Sequence, residues 1–177
     1  MNMQVIAVVG TKKSGKTTTT ETLIKELTER GYKVAAVKHI PEPDFTIDTA
    51  GKDTWKFAKA GAKIIISVAA KEIATIEKVT TKSISLETLL EKCRGNDVVL
   101  IEGLKKLTAL KKNIPKIVVA KSMKEAVKAL ETFKPVLAFS GPCSTENLGF
   151  EVPYADVLKN PQKLADIVEK TILKNRC

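Results

Sequence analysis

Gln4-Val5-Ile6-Ala7-Val8-Val9 runs directly into Gly10-Thr11-Lys12-Lys13-Ser14-Gly15-Lys16-Thr17, and then into a segment where Leu23, Ile24 and Leu27 recur at one-turn spacing. An apolar run, a loop with two glycines and a helical period read as strand, loop and helix. The loop fits G-x-x-x-x-G-K-[ST] in the strand-to-helix context that this motif requires. Two glycines let the backbone turn tightly enough for its N–H groups to point at phosphate oxygens, and the positive end of the following helix adds to them. The expected phosphate-binding residues are therefore Gly10, Thr11, Lys12, Lys13, Ser14, Gly15, Lys16, Thr17 and Thr18. Lys16 is expected to bridge the β- and γ-phosphates, Thr17 to give its hydroxyl to Mg²⁺ and Thr18 to touch the α-phosphate.

Working outward, Gly31 falls where a helix C-cap would sit, and Val34-Ala35-Ala36-Val37 reads as a second strand. His39 to Gly51 carries Pro41, Pro43 and three acidic residues without apolar periodicity, hence a loop. Thr54 to Ala60 reads as a helix packing through Trp55 and Phe57. Lys63 to Ala69 reads as a strand and Glu72 to Glu77 as an antiparallel or edge strand beside it. Ser85 to Cys93 reads as a helix, and Asp97 to Ile101 as a strand apolar on nearly every residue, the mark of a parallel sheet buried on both faces. Gly103 to Asn113 is lysine-rich and poorly periodic. A strand at Lys116 to Ala120, a helix at Met123 to Phe133, a strand at Pro135 to Ser140 and a helix from about Pro161 to Lys174 complete the pattern. Alternating strands and helices predict an α/β P-loop NTPase fold, a doubly wound, mostly parallel sheet with an antiparallel edge strand. No linker or repeat interrupts it, so 1–177 reads as a single nucleotide-binding domain.

A P-loop enzyme needs a carboxylate at the end of a neighbouring strand to hold the magnesium shell directly or through water. Val98-Val99-Leu100-Ile101-Glu102-Gly103 supplies one: Glu102 ends the apolar run and Gly103 permits a close backbone approach. Asp44, Asp48 and Asp53 follow the second strand and are expected at the same carboxyl edge, where they order magnesium-bound or attacking water or, alternatively, cap turns and helices. His39 either faces the ligand or is structural. Only Arg30, Arg94 and Arg176 are arginines, each placed at a helix end or tail. A transition-state arginine is worth roughly 10³–10⁵ in rate, so hydrolysis by the chain alone is expected to be slow. The same scarcity argues against a nucleotide-kinase lid.

The formal net charge of +10 favours polyanionic ligands. Its lysines are spread without aromatic interleaving or a recognisable nucleic-acid module, so nucleic acid is not the expected partner. No run approaches the roughly 20 apolar residues of a membrane span, and Met1 to Gln4 leads straight into a strand; the expectation is a cytoplasmic protein. Three separated cysteines and one histidine suggest neither a disulfide framework nor a soft-metal cluster.

Beyond the loop the sequence resembles the MobB family, nucleotide-binding adaptor proteins of molybdopterin-guanine dinucleotide biosynthesis. The resemblance is carried by Gly10 to Thr18, by Lys38-His39 followed by Asp44-Phe45-Thr46-Ile47-Asp48, and by Gly51-Lys52-Asp53-Thr54-Trp55 with Ala60-Gly61-Ala62. It continues through Val99-Leu100-Ile101-Glu102-Gly103-Leu104-Lys105 and Pro115-Lys116-Ile117. Pro41-Glu42-Pro43 stands where the family usually has histidines, and Leu104 where it usually has Phe. The resemblance implies a GTP-binding, weakly hydrolysing homodimer that assists a molybdenum cofactor guanylyltransferase in attaching GMP to molybdopterin. It also implies that Lys16 and Thr17 hold phosphates and Mg²⁺, that Glu102 serves the metal or its water, and that Asp44, Asp48, Lys52 and Asp53 line the same cleft. Guanine preference rests on the resemblance: no [NT]-K-x-D sequence is present, Ala120-Lys121-Ser122-Met123 lacks the aspartate, and ATP stays open. Phe139-Ser140-Gly141-Pro142 is a candidate for reading the base through its backbone. The alternatives are a P-loop small-molecule kinase and a nucleotide-regulated binding module without catalysis.

Overall fold

The computed structural model describes residues 3–145, 149 and 151–173. The expected end of the last helix at Lys174, together with Arg176 and Cys177, lies outside the described residues. In chain order the elements are β1 (Gln4–Gly10), α1 (Lys16–Glu29), β2 (Val34–Lys38), α2 (Asp53–Lys59), β3 (Ile64–Val68), β4 (Ile73–Glu77) and α3 (Leu86–Glu91). They continue with β5 (Val98–Glu102), α4 (Lys105–Thr108), β6 (Lys116–Val119), α5 (Met123–Thr132), β7 (Val136–Ser140), β8 (Tyr154–Ala155) and α6 (Pro161–Val168). They gather into two compact units, Met1–His39 with Leu86–Cys177, and Ile40–Ser85.

The first unit holds a six-stranded sheet in the order β2-β5-β1-β6-β7-β8, every pair parallel. Alternate residues of the central strands feed two cores. Ile6, Val8, Leu100 and Ile117 pack with Leu23 and Leu27 of α1 and with Leu164 and Val168 of α6. Ala7, Val9, Val99 and Val118 pack on the other face with Ala126, Ala129 and Phe133. Both faces being covered is why β5 and β6 are buried at every residue and why their sequences lack alternation. β2, at the sheet edge, is only partly buried. Register brings three strand ends together: Glu102 lies level with Val8 of β1 and with Lys38 of β2. β1, flanked by β5 and β6, is where strand order reverses, the place at which open α/β sheets bind ligands.

α1 is fastened at its C-terminal end. Arg30 pairs with Asp166 at 2.7 Å and Glu169 at 3.1 Å, and the Tyr32 hydroxyl donates to Glu169 at 3.0 Å. Three elements, α4, β8 and α2, differ from the sequence reading. The lysine-rich stretch after Gly103 contains the short helix α4, and β8 is a two-residue strand between Pro153 and Asp156. In the second unit β3 and β4 pair antiparallel, as expected for 63–69 and 72–77, in a two-stranded sheet of their own. α2 has no buried residue, and Phe57, expected to pack, is exposed.

Candidate functional site

The loop between β1 and α1 bends through left-handed positions at Lys13 (φ 58°) and Gly15 (φ 96°). A Cβ at Gly10 would collide with the Val119 carbonyl and lie 2.6 Å from Ser14 Oγ, so only glycine permits this closeness of loop, β6 and serine. Because α1 starts at Lys16, its first-turn N–H groups have no helical acceptors. Ser14 Oγ is itself buried without a hydrogen-bond partner among the described residues. Donors left open in a glycine-shaped cradle suit an anion with several oxygens.

Lys16 Nζ donates to the Thr11 carbonyl at 2.6 Å, which holds the ammonium over the loop. Its pKa is lowered, first by burial and then by the like charges of Lys105, Lys38 and Lys121, with Glu102 opposing. A polyphosphate would relieve both the desolvation and the repulsion. Thr17 Oγ1 donates to Glu102 Oε1 at 3.0 Å, so the two residues expected to serve Mg²⁺ touch. A hydroxyl and a carboxylate are hard oxygen donors. Two protein ligands completed by phosphate oxygens and water match the way Mg²⁺ is normally held, and that donor set fits the ion. Among the described residues no group of three or more His, Cys, Asp or Glu lies close enough to hold a metal.

Sequence reasoning missed the role of Lys38. Its Nζ lies 3.2 Å from Thr17 Oγ1 and 3.3 and 3.4 Å from the two Glu102 oxygens. The ammonium thus shares all three oxygens that a divalent cation would use. Its signals in the sequence were its place at the end of the second strand and in the Lys38-His39 pair; only β2–β5 pairing sets it level with Glu102. His39 N–H donates to the Glu102 carbonyl at 2.9 Å, and the His39 side chain packs on Gly103, where a Cβ would stand 3.0 Å from that of His39. Gly103 (φ 89°) and Leu104 (φ 48°) then turn the chain sharply from β5 into α4.

Other expected residues take defined positions. Thr18 is exposed on the first turn of α1, while the Thr20 hydroxyl bonds back to the Lys16 carbonyl at 2.9 Å. Lys12 offers its carbonyl to Lys121 Nζ at 3.3 Å. At the loop after β7, the Gly141 carbonyl is engaged by the Tyr154 hydroxyl at 2.7 Å, and Ser140 Oγ is buried without a partner among the described residues. Asp44, Asp48, Lys52 and Asp53 belong to the Ile40–Ser85 unit and are described within it. Asp48 Oδ1 accepts from Thr54 Oγ1 at 2.8 Å and from the Thr49 N–H at 2.9 Å, a turn-forming role beside α2. Its Oδ2 is buried and unpartnered among the described residues. Lys52 is the N-cap residue of α2, and Asp53 opens that helix, pairing with Lys56 at 3.0 Å.

Comparison with known proteins identifies the family. Residues 5–140 match the family model of molybdopterin guanine dinucleotide synthesis protein B, MobB. The chain belongs to the MobB family. A Haemophilus influenzae relative, the molybdopterin-guanine dinucleotide biosynthesis adapter protein, is 31% identical over 174 residues, covering 96% of this chain and 90% of its own. A Methanocaldococcus jannaschii protein provisionally assigned the same adapter role is 41% identical over 124 residues; the match spans 67% of this chain and about half, 48%, of that relative's length. Among solved structures, a molybdopterin-guanine biosynthesis protein B superposes with TM-score 0.71 at 24% identity over 94% of this chain and 97% of its own. Bacillus subtilis MobB gives TM-score 0.70 at 25% identity over 93% and 97%. The doubly wound P-loop fold is thus shared by MobB proteins. Among the described residues no helix is long and apolar enough to cross a membrane.

Proposed function

We propose that this chain is a GTP- and Mg²⁺-binding, weakly hydrolysing adaptor in the cytoplasm that assists a molybdenum cofactor guanylyltransferase in attaching GMP to molybdopterin, acting as a homodimer of one folding unit, 1–177. Family membership supports the pathway. One observation carries the nucleotide part: Lys16, Thr17 and Glu102 converge on a glycine-shaped cradle with open donors. In this reading the loop amides and Lys16 hold the polyphosphate, and Thr17 and Glu102 hold the metal. Bound Mg²⁺ would supply charge neutralisation for the phosphates.

Slow hydrolysis is supported by the two arginines among the described residues. Arg30 is committed to Asp166 and Glu169, and Arg94 to Glu91, so neither guanidinium is free to stabilise a transition state. Self-association is supported by the β3–β4 pair. Ile64, Ile66, Val68 and Ile73 share one of its faces and are 60–77% exposed, an apolar row of the kind that marks an interaction surface.

Titration calorimetry with GTP, ATP and molybdopterin tests the proposal, together with capture of the guanylyltransferase. The expected result is Mg²⁺-dependent binding of GTP in preference to ATP, with the enzyme retained. Equal affinity for both nucleotides and no association with the enzyme would overturn it.

A further inference from the structure

On the sheet face opposite α1 lies a cavity of about 260 Å³ whose lining shares only Gly10 and Thr11 with the residues assigned to phosphate above. It exists because its walls are small: Gly10 at the start of the loop, Ala120 after β6 and Ala129 on α5, with Val118 and Phe133 as an apolar floor. Larger side chains at Ala120 and Ala129 would fill it, while glycine at position 10 is already required by the closeness of Val119 and Ser14.

The rim is charged and asymmetric. Glu125, Lys128, Ala129 and Thr132 recur at helical spacing along one stripe of α5, and Lys105 of α4 closes the far side with Nζ 5.8 Å from the Phe133 ring centroid. Lys105 and Lys128 have no carboxylate within 4.0 Å among the described residues. Burial lowers the Lys105 pKa, with Glu125 partly opposing, so an anion placed there would be paired with a cation that lacks one. Glu125 is held differently: Oε1 accepts from Thr11 Oγ1 at 3.1 Å and Oε2 from the Lys121 N–H at 2.9 Å. Each oxygen keeps a lone pair for an N–H of a ligand.

Glu125 also ties the cavity to the loop, because Thr11, whose hydroxyl it accepts, offers its carbonyl to Lys16 Nζ at 2.6 Å. On the other wall, Lys105 follows Glu102 by only Gly103 and Leu104, both in left-handed conformations. Anything that moves Glu125 or Lys105 therefore moves a neighbour of the Lys16 or Glu102 side chain.

We infer that this cavity is a second small-molecule site, taking a flat aromatic ring with N–H groups at its edge and one phosphate or carboxylate, and that its occupancy is coupled to the Gly10–Thr17 loop through Glu125 and Thr11. The anion sits between Lys105 and Lys128, the ring lies on Val118 and Phe133, and ring N–H groups meet Glu125. The coupling rests on the reading that the loop holds a triphosphate; the site itself does not. Coupling of this kind is reciprocal, so each ligand alters the affinity of the other by the same factor.

The test is a fluorescence titration of the full chain with pterin-6-carboxylate, a fluorescent flat bicycle with one carboxylate, and in parallel with inorganic phosphate. Saturable one-to-one binding of the pterin is expected, at least tenfold weaker in the double variant Lys105→Met with Lys128→Met and lost in Ala129→Met, which fills the hollow. Circular dichroism checks that both variants fold. Lys16→Ala is expected to keep the probe site, and saturating GTP to shift its affinity to a new plateau without abolishing it. Unchanged binding in the double variant, no binding to the unmodified chain, or phosphate binding as tightly as the pterin would overturn the site. Loss of the probe in Lys16→Ala, or simple competition by GTP, would assign it to the loop instead. Probe binding without any GTP binding would leave this site standing and sink the nucleotide reading.

Discussion

Glu102 and Lys116 are both charged, both buried and both in one sheet, the last residue of β5 and the first of β6, yet they are satisfied in opposite ways. The Lys116 ammonium donates to the carbonyls of Lys111 at 2.7 Å and Lys134 at 2.6 Å, main-chain groups that cannot leave without rebuilding the loops ahead of β6 and β7. Glu102 is met by the Thr17 hydroxyl and the Lys38 ammonium, side chains on rotatable stems, one of them half exposed. A charge closed by backbone is locked in place, whereas a charge met by exchangeable groups keeps a position into which another cation can step.

The largest blow to that contrast falls beside Glu102. Lys16→Ala should leave the fold intact by circular dichroism and weaken triphosphate binding roughly ten- to hundredfold in calorimetry, since a hydrogen bond to a charged group is worth about 1.5–3 kcal/mol. Glu102→Gln keeps the shape but removes the charge, so Mg²⁺ should no longer strengthen triphosphate binding, a loss of about tenfold read by repeating the titration in excess chelator.

At the backbone-closed charge the expected effect is on stability alone. Lys116→Met leaves two carbonyls without their donor while removing a desolvated ammonium, for a net loss of about 1–2 kcal/mol in urea unfolding, with nucleotide affinity unchanged. Its pH signature is more specific. Burial depresses the Lys116 pKa to about 8 from an ordinary value of 10.5, so between those values the unfolded chain binds more protons than the folded one. Stability should therefore rise as pH climbs through that window, and the rise should be shallower in Lys116→Met, with Lys16 and Lys105, also lowered, supplying the remainder.

The smallest effect sharpens the comparison most. If the Lys38 ammonium and a divalent cation share the oxygens of Thr17 and Glu102, Lys38→Met should raise the affinity of the protein alone for Mg²⁺. Partly exposed pairs are worth up to about 1 kcal/mol, so up to about fivefold is expected in a Mn²⁺ competition titration. An unchanged or weaker affinity would show that Lys38 supports the metal position rather than contests it.

These two charges were unequally legible in the sequence. Glu102 stood out because it ends a run of four apolar residues and precedes a glycine, so strand, end and bend could be read together. Lys116 begins an equally plausible strand but is one lysine in a lysine-rich chain, and its burial depends on Lys111 and Lys134 carbonyls that only tertiary structure brings near. Lys38 was hidden for the same reason: its register opposite Glu102 is a property of β2–β5 pairing. The central strands, α1 and the loop were legible because period, glycine placement and motif agreed. α4 escaped because four residues cannot display a helical period, and β8 because two cannot display alternation. The cavity beside α5 was invisible for a different reason, since Gly10 was already explained by the loop, and Ala120 and Ala129 mean nothing until they face it.

The Arg30 clasp has a consequence some distance from where it acts. α1 has 14 residues, roughly 21 Å at 1.5 Å each, with Lys16 and Thr17 at one tip and the grip on Asp166 and Glu169 just past the other. A stiff rod anchored at its tail can swing its head only as far as that anchor yields. Changes in the C-terminal helix would thus register as altered aim of the ligand-facing tip, a reason to place spectroscopic labels at both ends of this rod when its motion is followed.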